Sequence, residues 1–265
     1  MSSNDFLYIT DQFQLNEYSS EHALHIRKRN LPHWEMEAAV YFVTFRLSDT
    51  IPVAIIKQLR EANEQSIALE LARTGKTNHN RVHELKFNLL MQIDDYLDNN
   101  QEIRYLSNPE IARIIQNALL FFGVLFVHDI EPIADMPTIK IIHSESTESL
   151  LPKPRYILLR WMIMPNHVHV LLQPLVDTET GVCYTLEKIF HSIKSYTAQE
   201  ANKILNRNGQ FWHHESYDHI VRDENSFDRI WRYIDNNAVK AGLCSDVLDF
   251  QWSSACLIKK LKLEA

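Results

Sequence analysis

The chain has 265 residues, 45% of them hydrophobic and 23% charged, with a net charge of −7. Those proportions specify a globular protein with ample material for a core, built as one large domain or as one domain with an insertion. The acidic balance argues against a surface that binds nucleic acid everywhere, although it leaves room for a local basic groove, and the 5 glycines leave no P-loop and no dinucleotide fingerprint.

Cys183, Cys244 and Cys256 are scattered and form no CxxC pair, which excludes a disulfide framework and a structural zinc site as leading readings. The opening stretch MSSNDFLYITDQFQ lacks the basic and then apolar pattern of a signal peptide, and the longest apolar run, ALLFFGVLFV, is too short to span a membrane as a helix. A cytoplasmic protein without membrane contact is the expectation.

In chain order, residues 1–35 read as a polar, irregular arm. AVYFVTFRL, rich in β-branched and aromatic residues, reads as a strand. Asp49, Thr50 and Pro52 open a helical stretch running from 53 to about 124. It divides into the amphipathic segments IIKQLREANEQSIALELARTG, RVHELKFNLLMQIDDYLDNN and PEIARIIQNALLFFGVLFV, the last with Pro109 near its first turn. Residues 128–154 read as loop with a short strand at TIKII. RYILLRWMIM and HVHVLLQ are strands joined by a tight Pro165-Asn166 hairpin. TLEKIFHSIKSYTAQEANKILN is an amphipathic helix ending near Asn208-Gly209, FWHHESYDHIVR a further strand, and SFDRIWRYIDNNAVKAGL a helix capped by Ser226 and ended by Gly242. This order gives an α+β domain over residues 36–256, with a largely antiparallel sheet, flanking helices, a helical insertion over 53–124 and a tail over 257–265.

The stretch MPNHVHVLLQ places His167 and His169 two apart, on one face of a strand. Two such imidazoles are either a buried packing pair or half of a metal site. On the last helix, Tyr233 and Asn237 are four apart and share a face, displaced from the stripe of Phe227, Ile230, Trp231 and Ile234. An asparagine oxygen suits a hard cation such as Mg²⁺ or Mn²⁺ and, with the histidines, leaves positions open for substrate oxygens. The alternative for the Tyr/Asn pair is a solvated helix face.

The ordered set WMIMPNHVHVLLQP, SYTAQEAN and FWHHESYDHIVRDENSFDRIWRYIDNNAVKAGL, with VYFVTFRL before it and QWSSA after it, resembles the REP-associated tyrosine transposases. These are IS200-like transposases of the His-hydrophobic-His (HUH) single-strand endonuclease superfamily, and the resemblance spans about residues 36–256. It implies a ferredoxin-like nuclease core in which His167 and His169 bind the catalytic Mg²⁺ or Mn²⁺, Asn237 completes the metal site and Tyr233 is the nucleophile. The family has proline after that asparagine, where this chain has Ala238.

The implied reaction is attack by Tyr233 on single-stranded DNA, giving a 5′-phosphotyrosine link and a free 3′-hydroxyl, with hairpins of palindromic repeats as partners and a monomer or homodimer as the assembly. Tyr196 and Tyr217 are competing nucleophiles without an Asn or Gln four residues on. No general base stands out among His191, His213, His214 and His219. Lys194, Arg222, Arg232 and Lys240 are candidate DNA contacts, because basic residues interleaved with aromatics suit a strand-tracking groove, and the strand residue Arg46 and the turn residue Asn166 are further candidates. A hairpin-binding regulatory protein with little cleavage, and a hydrolase that activates water at the histidine pair, are the alternatives.

Overall fold

The computed structural model of the protein describes residues 6–9, 25–28, 32–35, 39–74, 79–100, 102–126, 139–142 and 153–264. Three short strands come first, β1 (Phe6–Ile9), β2 (His25–Lys28) and β3 (Pro32–Glu35), followed by β4 (Val40–Arg46). The irregular arm expected over 1–35 thus holds three strands, and its remaining residues lie outside the described ones. Helices α1 (Val53–Thr74), α2 (His79–Asn99) and α3 (Pro109–Phe122) lead to β5 (Gly123–Phe126) and β6 (Ile139–Ile142). The hairpin β7 (Tyr156–Ile163) and β8 (His167–Pro174) follows, then α4 (Leu186–Ile204), β9 (Tyr217–Val221), α5 (Glu224–Lys240) and α6 (Ser254–Glu264).

The main sheet has the order β6-β1-β5-β7-β8-β4-β9. Its β7, β8, β4 and β9 pairings are antiparallel, as expected, but β5 runs parallel to both β1 and β7, so the sheet is mixed. The parallel join was hidden because GVLF reads as the end of a helix, whereas α3 stops at Phe122 and Gly123 enters a strand. Space requires glycine at this junction. A Cβ on Gly123 would lie 2.6 Å from the Tyr156 ring and 2.9 Å from the Leu119 carbonyl. Gly123→Ala is therefore expected to destabilise the fold by about 1–3 kcal/mol, read as a lower urea midpoint at unchanged slope.

Strands β4 and β8 are covered on both faces, which explains their nearly continuous apolar sequences. One face packs Tyr41, Val43, Phe45, Val168 and Val170 against α3 and α4 through Ile115, Leu119, Phe190 and Ile193. The other packs Val40, Phe42 and Leu171 against α2 and α5 through Leu90, Ile93, Leu97, Ile230 and Ile234.

Other expectations need adjustment. The segment expected as α1's apolar stripe leaves Leu69 and Leu71 exposed. Only residues 217–221 of FWHHESYDHIVR form a strand; 211–216 pass the end of β4 irregularly, with Ser48 N donating to Phe211 O and His213 N to Arg46 O. Asp223, not Ser226, caps α5, its side chain accepting from Ser226 N. The expected tail begins inside α6, whose Ile258 is buried in the core. No helix among the described residues is long and apolar enough to cross a membrane.

Candidate metal and nucleophile site

His167 and His169 stand on the α2/α5 face of β8, as the alternation of a strand requires. Their Nε2 atoms are 2.9 Å apart, and both rings are fully buried. Each Nδ1 is held from behind. Asn166, in the hairpin turn, donates its amide to the carbonyls of Leu97 at 2.9 Å and Asn100 at 3.1 Å. Its Oδ1 then faces His167 Nδ1 at 2.7 Å. An amide oxygen only accepts, so His167 carries its proton on Nδ1 and offers the Nε2 lone pair to the site. His169 Nδ1 lies 2.8 Å from the Thr44 hydroxyl, which serves either tautomer because it both donates and accepts.

Helix α2 supplies what the sequence reading missed. Asp94, fully buried, places Oδ2 3.1 Å from His169 Nε2 and Oδ1 3.9 Å from His167 Nε2. Asp98, one turn on, lies 4.0 Å from His167 Nε2. One donor atom each from Asp94, His167 and His169 fall within 4.8 Å of one another. The signal was present: Asp94 occupies the stripe that carries Leu90 and Leu97, where a lone carboxylate among apolar residues marks a ligand or a paired charge.

Helix α5 delivers the phenol. The Tyr233 hydroxyl donates to Asp94 and accepts from Asn237 Nδ2 at 3.2 Å, while its ring meets His169 edge-on with centroids 5.7 Å apart. Asn237 is buried at the α5 position following Ile230 and Ile234, rather than displaced from that stripe. The structure therefore brings His167, His169, Tyr233 and Asn237 together. Tyr196 is half exposed on α4, across the sheet from the histidines. Tyr217 is buried on β9, in the register row Tyr217–Thr44–His169.

A divalent cation suits these residues. Cis positions of an octahedron with bonds of about 2.1 Å lie about 3.0 Å apart, close to the 2.9 Å between His167 Nε2 and His169 Nε2, and the Asp94 carboxylate closes the set with Oδ2 3.1 Å from His169 Nε2 and Oδ1 3.9 Å from His167 Nε2. Asp94 Oδ1 and Asn237 Oδ1 are buried without a hydrogen-bond partner among the described residues, which leaves acceptor oxygens for an ion. Burial shapes the protonation states. It pushes His167 down to about 3 and His169 well below its ordinary value. It holds the Asp94 carboxyl well above the usual range and raises Asp98 to about 6. The Tyr233 phenol is driven upward by burial and by Asp94.

The expected DNA contacts scatter. Arg46 is buried beside His167, its register partner on β8. The Asn166 amide is used inside the protein, as described. Lys194 is spent on the carbonyls of His213 and His214 and the Ser216 hydroxyl. Arg222 bonds His83, Arg232 is exposed on α5, and Lys240 pairs with Asp95 and Asp98 beside Tyr233.

His213 and His219 are each depressed to about 4, chiefly by burial. Because their folded pKa lies below the unfolded value of about 6.5, the unfolded chain takes up protons that the folded one refuses. Stability is then expected to fall as pH drops from about 6.5 toward 4, by on the order of 1 kcal/mol per histidine. Ring resonances of His219 that stay neutral at pH 5 would confirm the shift; a midpoint near 6.5 would refute it.

Residues 137–237 match the family model described as transposase IS200 like. This segment is similar to the IS200-like transposases, and that part of the resemblance read from the sequence is borne out over it. No curated protein matches the chain. Among solved structures, that of a REP-associated tyrosine transposase bound to a REP hairpin is similar at 12% identity and a TM-score of 0.38, over 84% of this chain and 79% of that one.

Proposed function

We propose that this protein is a metal-dependent, single-strand DNA endonuclease and strand transferase that acts on hairpin-forming repeats through Tyr233. The observation that carries this reading is the junction of α5 with β8, where a phenol hydroxyl, two imidazoles and a carboxylate share one buried site. His167, His169 and Asp94 would hold Mg²⁺ or Mn²⁺, with Asn237 Oδ1 alongside. When bound, the ion supplies positive charge at the scissile phosphate.

Tyr233 Oη attacks the phosphorus in line. Its proton passes along the existing hydrogen bond to Asp94 Oδ2, while Oδ1 would face the ion; the P–O3′ bond breaks, and that proton returns to the departing 3′ oxygen, which leaves as a hydroxyl. A 5′-phosphotyrosine link results. Attack by a 3′-hydroxyl on that link restores Tyr233 and rejoins DNA, so the phosphodiester energy is conserved without a nucleotide cofactor. Asn166 and Thr44 orient the imidazoles through their Nδ1 atoms, the usual way in which a backing hydrogen bond fixes a ligating histidine. Arg232 and Lys240, on the nucleophile's own helix, are the cations best placed to meet the entering strand.

The test is a denaturing gel with end-labelled hairpin oligonucleotides and Mn²⁺ or Mg²⁺. A 5′-linked adduct is expected that requires the cation and disappears in His167→Ala. Cation-dependent cleavage without an adduct would favour the water-activating hydrolase. Tight hairpin binding without cleavage would favour the regulatory binder.

A further inference from the structure

Beyond the candidate metal site, the same sheet face holds a buried cation that forms no ion pair among the described residues. This is Arg46, which ends β4 and is 2% exposed. Its NH1 donates only to neutral oxygens, Leu47 O at 3.3 Å and Thr50 Oγ1 at 3.1 Å, and its Nε has no hydrogen-bond partner among the described residues. A guanidinium buried in this way costs stability unless something else uses it.

Arg60 of α1 approaches from the solvent side. Its NH2 pairs with Glu215 at 2.7 Å, its side chain is 22% exposed, and its Nε is likewise without a partner. The buried Tyr217 hydroxyl lies against both guanidiniums. Two guanidiniums, the Lys194 ammonium and a hydroxyl thus gather where Glu215 pairs with Arg60 and Asp49 acts on Arg46, three cations against two carboxylates inside an acidic protein. Planar N–H forks and a hydroxyl donor are the groups that recognise a tetrahedral oxyanion.

We propose that Arg46, Arg60 and Tyr217 form a phosphate-binding subsite adjoining the His167 side of the candidate active site. Arg46 is the direct cross-strand neighbour of His167, and Thr44 of His169. The Arg46 row is therefore two residues, about 6.6 Å, beyond the His169 row along the sheet. A strand whose scissile phosphate lies at the histidines would place a neighbouring phosphate at Arg46. That assignment to DNA rests on the proposed function; the oxyanion site itself does not.

Two measurements separate the two claims. In metal-free buffer at matched ionic strength, inorganic phosphate is expected to raise the melting temperature of the wild type. The rise should be absent in Arg46→Gln and reduced in Arg60→Gln, and it should persist in His167→Ala. Hairpin oligonucleotides carrying one neutral methylphosphonate at successive linkages are then titrated by anisotropy. One linkage should cost the wild type about 10-fold in affinity and cost Arg46→Gln nothing. A phosphate-dependent rise without hairpin binding keeps the oxyanion site and removes the DNA reading. Absence in the wild type of both the phosphate-dependent rise and the linkage-specific loss overturns the proposal. A linkage profile in Arg60→Gln and a folded Arg46→Gln that matches the wild type also overturns it.

Discussion

Tyr233→Phe is expected to eliminate the covalent protein–DNA adduct and to lower strand cleavage by at least ~1000-fold, the effect of removing the nucleophile proposed above. The substitution deletes one oxygen and leaves the ring against His169 and Phe42. The fold should stay intact, and hairpin affinity should change little. The deleted hydroxyl also relieves Asp94 of its closest hydrogen bond, so cation binding is retained. A residual adduct in Tyr233→Phe would relocate the chemistry to Tyr217, buried on β9 in the row that includes His169, or to Tyr196. Peptide mapping of the linked residue decides between them.

Asp94→Asn is expected to act with opposite signs on stability and on cation binding. Burial holds the Asp94 carboxyl above its ordinary value, so the folded state binds its proton more tightly than the unfolded state does. A group shifted in that direction adds stability below its unfolded pKa and loses it as pH rises through the folded one. At neutral pH the metal-free protein therefore bears a desolvation cost that asparagine lacks. The variant should be more stable by about 1–2 kcal/mol, and the gain should vanish near pH 3, where both states are protonated. With Mn²⁺ the ranking inverts. Wild-type stability climbs with cation concentration, while the variant, having exchanged an anionic oxygen for a neutral one, responds at least ~10-fold more weakly. Equal cation responses would remove Asp94 from the ligand set and leave Asn237 as the oxygen donor.

The parts of this protein that were legible from sequence are those with strong periodicity or tight turn chemistry. The β7–β8 hairpin announced itself through Pro165-Asn166, and α4 and α5 through their stripes and Gly209 and Gly242. The histidine pair followed from strand alternation alone. Asp94 stayed hidden because its meaning depends on α2 packing over β8, a contact between residues about seventy positions apart that no local pattern encodes. Asn166, as the turn residue of the hairpin, was a candidate DNA contact. Here it closes the end of α2 and orients His167. The β5 strand was lost inside a continuous apolar run, where Gly123 marks the change from helix to strand and has no room for a Cβ.

The position of β4 sets a limit on how this chain can be divided. It lies between β8 and β9 and supplies Thr44 and Arg46, yet it precedes the family-matching segment by ninety residues. An excised 137–237 fragment would keep both histidines and Tyr233 while leaving β8 and β9 each with an unpaired edge toward the gap, a template for intermolecular strand addition. Such a fragment should self-associate rather than cut DNA. The smallest autonomous unit is set by the hydrogen-bonded ladder, and it must begin before Val40 even though the recognisable motifs start much later.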